Sequence, residues 1–229
     1  MKRIILLSLV TILMFSCAQN NRKQGNLIVK GQVKGLRLGT LLIKQMIKDS
    51  LVSIDSIKVD GNEHFEFHTR IDQPQMMLLE LPEVKDGKIL FFAAPHDTIQ
   101  IFTYVESFGI DPKVKGGINQ AKRNEYNAMI KKFNNKELDL FKARFEAQKS
   151  QLLQEADSIG KKLENLKKKR KLYTLNFIFQ NKDKAIAPYL AMMEFYDNVK
   201  AIDTIYKSLT PEQQKSIYGK ELKKILQNE

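Results

Sequence analysis

Near residue 117 the spacing of apolar side chains changes period, and that change limits the chain to a strand-built first part and a helical second part. From Leu27 to Lys115 short apolar segments recur with alternation and are broken by glycine, proline and aspartate, the pattern of half-buried strands separated by turns. Strands are predicted over 27–33, 40–47, 53–59, 65–68, 75–81, 89–92 and 98–103. So many short strands with no helical period between them predict an antiparallel sandwich or a partly open barrel. Asp60-Gly61-Asn62 is the clearest hairpin signal, because glycine and asparagine accept the positive φ of a tight turn.

From Asn119 onward the period is helical. Tyr126, Ile130 and Phe133 make one face, and Phe145, Leu152, Ala156, Ile159, Leu163 and Leu166 continue it at mostly three- and four-residue steps, as an amphipathic helix requires. A break or kink is expected at Asn134-Asn135. The long stripe must be buried, either against the later segments 172–179, 185–196, 201–209 and 213–226 or against a partner. Thr210-Pro211 reads as a helix start, with Thr210 as N-cap and Gln213 at the capping-box position. The fold class is therefore α+β: an N-terminal antiparallel β-sandwich-like domain over 26–118, then an α-helical domain over 119–229 with one long helix.

The first residues carry an address. Met1-Lys2-Arg3 is a short cationic start, residues 4–15 are an almost unbroken apolar run, and Ser16-Cys17 closes it. The run is about half of the roughly 20 residues that a spanning helix needs, so it reads as an export signal over 1–16. A small residue followed by cysteine resembles the lipobox of bacterial lipoproteins, which implies cleavage before Cys17 and a thioether-linked lipid on its sulfur. Two or three acyl chains at about 0.8 kcal/mol per buried methylene make such an anchor effectively permanent. Residues 17–25 follow as lipidated cysteine and polar tether. The expected partner is thus a membrane, reached through Cys17. Ala18 is not the aspartate associated with inner-membrane retention, and no acidic cluster of the kind linked to surface display follows, so the expected place is the outer membrane, facing the periplasm.

Cys17 is the only cysteine, which rules out an internal disulfide. The chain holds 38 lysines and arginines against 26 acidic residues, a formal charge of +12, two of which leave with Lys2 and Arg3. This excess points to acidic partners such as anionic lipid, lipopolysaccharide or polysaccharide. Nucleic acid is not expected, given the export signal and aromatic residues that fall on core periods.

Several motifs resemble a known family. Gly31-Gln32-Val33 with Gly35, Thr40 to Ile43, Asp55-Ser56, Val59-Asp60-Gly61 and Phe65-Glu66-Phe67 are similar to the domain of unknown function 4369. That β-rich domain stands N-terminal in envelope-anchored thioredoxin-like lipoproteins. Phe91-Phe92-Ala93-Ala94-Pro95-His96-Asp97 resembles its hydrophobic-Pro-Gly-Asp turn, with His96 where the family usually has glycine. Gly116 with Asn124-Glu125-Tyr126 resembles its exit into helices, and Ile186-Ala187-Pro188-Tyr189-Leu190 and Ile217-Tyr218-Gly219-Lys220-Glu221-Leu222 resemble later parts of such proteins. The resemblance implies an envelope protein in which thiol-disulfide chemistry belongs to a thioredoxin domain. No Cys-x-x-Cys pair occurs in this sequence, so no redox role carries over to any residue.

Other candidate sites are sparse. His64, Glu66 and His68 are predicted to share one strand face while Phe65 and Phe67 point to the core. Side chains two apart lie roughly 6–7 Å from each other, too far for a ready metal site, and a polar solvent face is the expected role. Asp49, Asp55 and Asp60 lack the spacing of a calcium loop. No cofactor is implied, and no nucleophile elbow or phosphate loop is present. The most concentrated charge is Lys161, Lys162, Lys167, Lys168, Lys169, Arg170 and Lys171, a run that covers a helix on nearly all sides and is a candidate polyanion contact. Three readings follow: a membrane-held, non-catalytic binding or accessory module with a protein partner in the envelope; an enzyme with an unrecognised site built on scattered carboxylates; or a lipopolysaccharide-type polyanion binder through those basic residues.

Overall fold

A computed structural model describes residues 25–47 and 50–227; the residues expected to form the export signal, Cys17, most of the expected tether, and Asp49 lie outside the described residues. Eight strands build two sheets: β1 (Leu27–Lys34), β2 (Leu38–Ile47), β3 (Ser50–Asp60), β4 (His64–Thr69), β5 (Gln75–Glu80), β6 (Lys88–Ala93), β7 (Thr98–Tyr104) and β8 (Lys113–Lys115). The first sheet has the order β4-β1-β7-β8 and the second β3-β2-β5-β6. The β1–β7 pair is parallel and the other pairings are antiparallel. The seven predicted strands are present, and β8 is an eighth that the pattern did not show.

Alternation sets the faces. Leu27, Val29 and Val33 of β1, Phe65 and Phe67 of β4, and Ile99 and Ile101 of β7 point inward against Leu41, Ile43, Leu79 and Phe91 of the second sheet, closing one apolar core. The turn at Asp60-Gly61 forms, with Gly61 at φ +75°, but the strands it joins lie in different sheets. It is a crossover in place of the expected hairpin. At Ala94-Pro95-His96-Asp97 the Asp97 amide donates to the Ala94 carbonyl at 3.1 Å and His96 sits at φ +70°. A four-residue turn with proline second and a positive φ third is the type II pattern, whose third position favours glycine. The chain thus keeps the glycine conformation with a histidine in it.

The helices are α1 (Ile118–Lys149), α2 (Leu153–Gln180), α3 (Ile186–Phe195), α4 (Val199–Ser208), α5 (Pro211–Lys215) and α6 (Ile217–Gln227). Two sequence expectations are corrected here. Helix α1 runs unbroken through Asn134 and Asn135, both of which are exposed, so their polar side chains meet water and exert no pull on the backbone. The break comes at Ser150 to Leu152 instead, where Gln151 takes φ +61° and the chain reverses into an α1–α2 hairpin. Consequently Tyr126, Ala156, Ile159 and Leu163 are buried as expected, whereas Phe145 is 64 % exposed and Leu152 is exposed too; Ala147 takes the inward position near the hairpin tip. The Thr210 hydroxyl caps the Gln213 amide at 3.4 Å. The Gln213 side chain does not close a capping box; it donates to the Asp183 carbonyl.

The helical layer is tied to the β5–β6 side of the sandwich. Phe91 faces the sandwich core, while its neighbour Phe92 enters the helical core edge-on to Tyr189 and Tyr218. The Met76 amide donates to the Tyr218 hydroxyl at 2.7 Å, and burial pushes that phenol up. Strand β6 is the outermost strand of its sheet, with backbone groups that need partners. Helix α1 supplies them: the Phe92 amide donates to Gln120 Oε1 at 2.7 Å and Arg123 donates to the Leu90 carbonyl at 3.0 Å.

Candidate functional site

The outer face of the β4-β1-β7-β8 sheet carries lysine, glutamine, histidine and aromatic side chains around one concavity. Strand register lines them up in rows across the sheet. Glu66, Lys30, Gln100 and Lys115 form one row, and His64, Gln32, Phe102 and Lys113 the next. Adjacent strands lie about 4.8 Å apart, so Lys30 and Lys115 stand roughly 10 Å from each other with the Gln100 amide between them. Lys34 extends the pattern, its ammonium 5.7 Å from the centre of the Tyr104 ring in cation–π geometry. Tyr104 is 49 % exposed and meets Phe102 edge-on at 5.4 Å.

These rows line a concavity of about 760 Å³. Its floor depends on Gly31, which opposes Ile101 in the parallel pair. A Cβ at Gly31 would stand 1.8 Å from the Ile101 carbonyl oxygen, so only glycine lets β1 approach β7 this closely. Among the described residues, Lys30, Lys113 and Lys115 have no carboxylate within ion-pair distance. The carboxylate in the rows, Glu66, is engaged by His68 at 2.6 Å. At the margin, Glu63 accepts from the Gly35 amide at 2.8 Å and from Gln32 at 3.1 Å; these bonds hold its carboxyl below the ordinary range and fix the Gln32 side chain. The face therefore presents four cations, amide groups and an aromatic edge to whatever lies on it.

His64, Glu66 and His68 share one face, as the alternation predicts. Among the described residues no three histidine, cysteine or acidic side chains come together in a metal-binding arrangement. Asp55 accepts from the Ser56 amide, and Asp60 ends β3 beside the crossover. The basic run of α2 does not converge on one surface: Lys161 pairs with Asp157 at 2.9 Å, Lys167 with Glu164 at 3.6 Å, and Arg170 turns toward Glu194 of α3 at 3.3 Å. Lys162, Lys168, Lys169 and Lys171 are exposed around the helix.

The expectation that aromatic residues fall on core periods is corrected by Phe102 and Tyr104, which occupy the outward positions of β7 beside lysines of β1 and β8. The alternation Lys30-Gln32-Lys34 and Gln100-Phe102-Tyr104 was readable in the sequence. The parallel pairing that joins the two segments was not.

Residues 27–122 match the family model described as Domain of unknown function (DUF4369). Comparison with curated proteins and comparison with solved structures each gave no match. The matched span takes in β1 to β8 and the first turn of α1, including Gln120.

Proposed function

We propose, from the premise that residues 27–122 are a DUF4369 domain, that the chain is a non-catalytic binding module held at a cell-envelope membrane through lipid on Cys17, and that it takes an acidic glycan on the outer face of the β4-β1-β7-β8 sheet. One observation carries the ligand class: Lys30, Lys113 and Lys115 stand in register around Gln100 and Phe102 without carboxylate partners. Unpaired cations in a concavity attract anions over several ångströms of water, the amides donate hydrogen bonds, and an exposed aromatic edge offers the apolar side of a sugar ring a place to rest. The reading as non-catalytic is supported by the same groups. They are suited to holding charge, and the His68 ring is engaged by the Glu66 carboxylate at 2.6 Å.

The test is a binding titration of the full chain in detergent with polygalacturonate as the acidic glycan and dextran as the neutral one. Wild type is expected to bind the first and not the second, with affinity that falls as salt rises. In the Lys30→Gln/Lys113→Gln/Lys115→Gln variant, the slope of log affinity against log salt should shrink by about one per lysine removed, by the counterion-release relation known for nucleic acids. Unchanged binding in that variant would overturn the assignment, and stronger binding to single-stranded nucleic acid than to either glycan would move the ligand to another class. Metabolic labelling with a lipid precursor tests the anchor separately: wild type is expected to carry label and Cys17→Ser to lose it.

A further inference from the structure

We propose that four exposed apolar side chains of β2 and β3, Met46, Ile47, Leu51 and Val52, are a second contact with the lipid surface, reaching the interface of the bilayer in which the Cys17 anchor is embedded. Strand β2 pairs with β5 only as far as Gln45 and continues to Ile47 with β3 as its remaining partner. The β2–β3 hairpin therefore projects about 7 Å beyond the sheet. Its described apolar side chains are exposed, from 39 % for Val52 to 56 % for Met46. Met46 stands opposite Leu51 on one face, and the adjacent register places Ile47 and Val52 on the other. A flat protein partner would cover one face and leave the other wet. Immersion in an apolar medium covers both.

The same end of the sandwich receives the chain from the anchor. Asn26 exchanges two hydrogen bonds with Ile71, at 2.8 and 2.9 Å; that connection leads into Gln75, whose side chain donates to Gln45 at 3.1 Å, next to Met46. The opposite end is marked by Gly61, whose amide donates to the Arg37 carbonyl. Between Cys17 and Gly25 the chain spans at most about 28 Å when fully extended. A lipid on Cys17 therefore tethers the sandwich by its hairpin end, and not by its Gly61 end. With the anchor in place the hairpin stands at high effective concentration beside the bilayer, so a contact too weak to bind alone is enough. This inference rests on the anchor reading above.

The sequence has no tryptophan, so one introduced indole reports its own surroundings. Full-length Leu51→Trp and Met46→Trp, each expressed with the lipid precursor label, are reconstituted into vesicles of phosphatidylethanolamine and phosphatidylglycerol with and without brominated acyl chains. Leu38→Trp, at the other end of the same strand and 70 % exposed, is the comparison. The expected result is a blue-shifted emission that brominated lipid quenches for Leu51→Trp and Met46→Trp, with neither effect for Leu38→Trp. Labelled protein in which both hairpin indoles stay unquenched overturns the hairpin contact and leaves the anchor standing. Unlabelled protein whose hairpin indoles are still quenched removes the anchor and keeps the contact. Quenching of Leu38→Trp to the same degree overturns the proposed orientation.

Discussion

Replacing Gln120 with methionine removes the acceptor that closes the β6 edge while keeping nearly the same volume. Gln120 is fully buried; its Oε1 takes the Phe92 amide at 2.7 Å and its Nε2 reaches Asn124 Oδ1 at 2.7 Å. In Gln120→Met the Phe92 N–H stays buried with no partner, which costs about 1–3 kcal/mol. The Asn124 side chain keeps its bond to the Val114 carbonyl at 2.8 Å and adds little to the loss. A total near 2 kcal/mol corresponds to a drop in Tm of roughly 4–8 °C for a chain of this size. Because the loss is local, the Phe92 amide should also exchange with solvent much faster, while amides of β1 and β7 keep their protection. Differential scanning calorimetry with amide hydrogen exchange reads both effects. A variant within about 0.5 kcal/mol of wild type, with Phe92 still protected, would refute the idea that helix α1 seals the sheet edge, since substitutions without a structural mechanism fall in that range.

Three further outcomes are expected. His96→Gly should raise stability by roughly 0.5–1 kcal/mol, because glycine adopts the +70° φ without the cost of a Cβ, less the entropy it adds to the unfolded chain; His96→Val should lower it, both read from denaturant midpoints. Gly31→Ala should lose about 2–3 kcal/mol in the same assay, since its Cβ forces β1 from the Ile101 carbonyl. Burial raises the Asp97 carboxyl above its ordinary value near 3.8, partly opposed by the Ala94 amide it accepts. The folded state therefore binds that proton more tightly than the unfolded state does. The resulting stabilisation is present below the ordinary pKa and lost as pH rises through the raised one. Asp97→Asn should accordingly gain on wild type as the pH of a thermal melt is moved up through that window, and a difference that does not vary with pH would contradict it.

Much of the β-part was legible because alternation is a local signal: Leu27, Val29 and Val33, or Ile99 and Ile101, declare a face within one segment. Strand β8 escaped because Lys113–Lys115 buries one side chain, Val114, and three residues hold too little alternation to read. The candidate site escaped for a different reason. Its rows depend on β1 lying parallel to β7, two segments about seventy positions apart in the chain, and nothing in either predicts the other as neighbour. The helix break was misplaced because side-chain chemistry suggested Asn134-Asn135, whereas the reversal falls on Gln151, a residue type with no marked preference for positive φ. The basic run in α2 was conspicuous in sequence, yet its helix distributes it: Arg170 leans on Glu194, and Lys161 and Lys167 pair along their own helix.

Lysine-reactivity footprinting of the full chain, with and without polygalacturonate and read by mass spectrometry, compares the two basic regions in one sample. Protection of Lys30, Lys113 and Lys115, with Lys162, Lys168, Lys169 and Lys171 labelled as before, is the result expected if the sheet face holds the ligand. Protection confined to the α2 lysines, with the sheet lysines reacting freely, would contradict it.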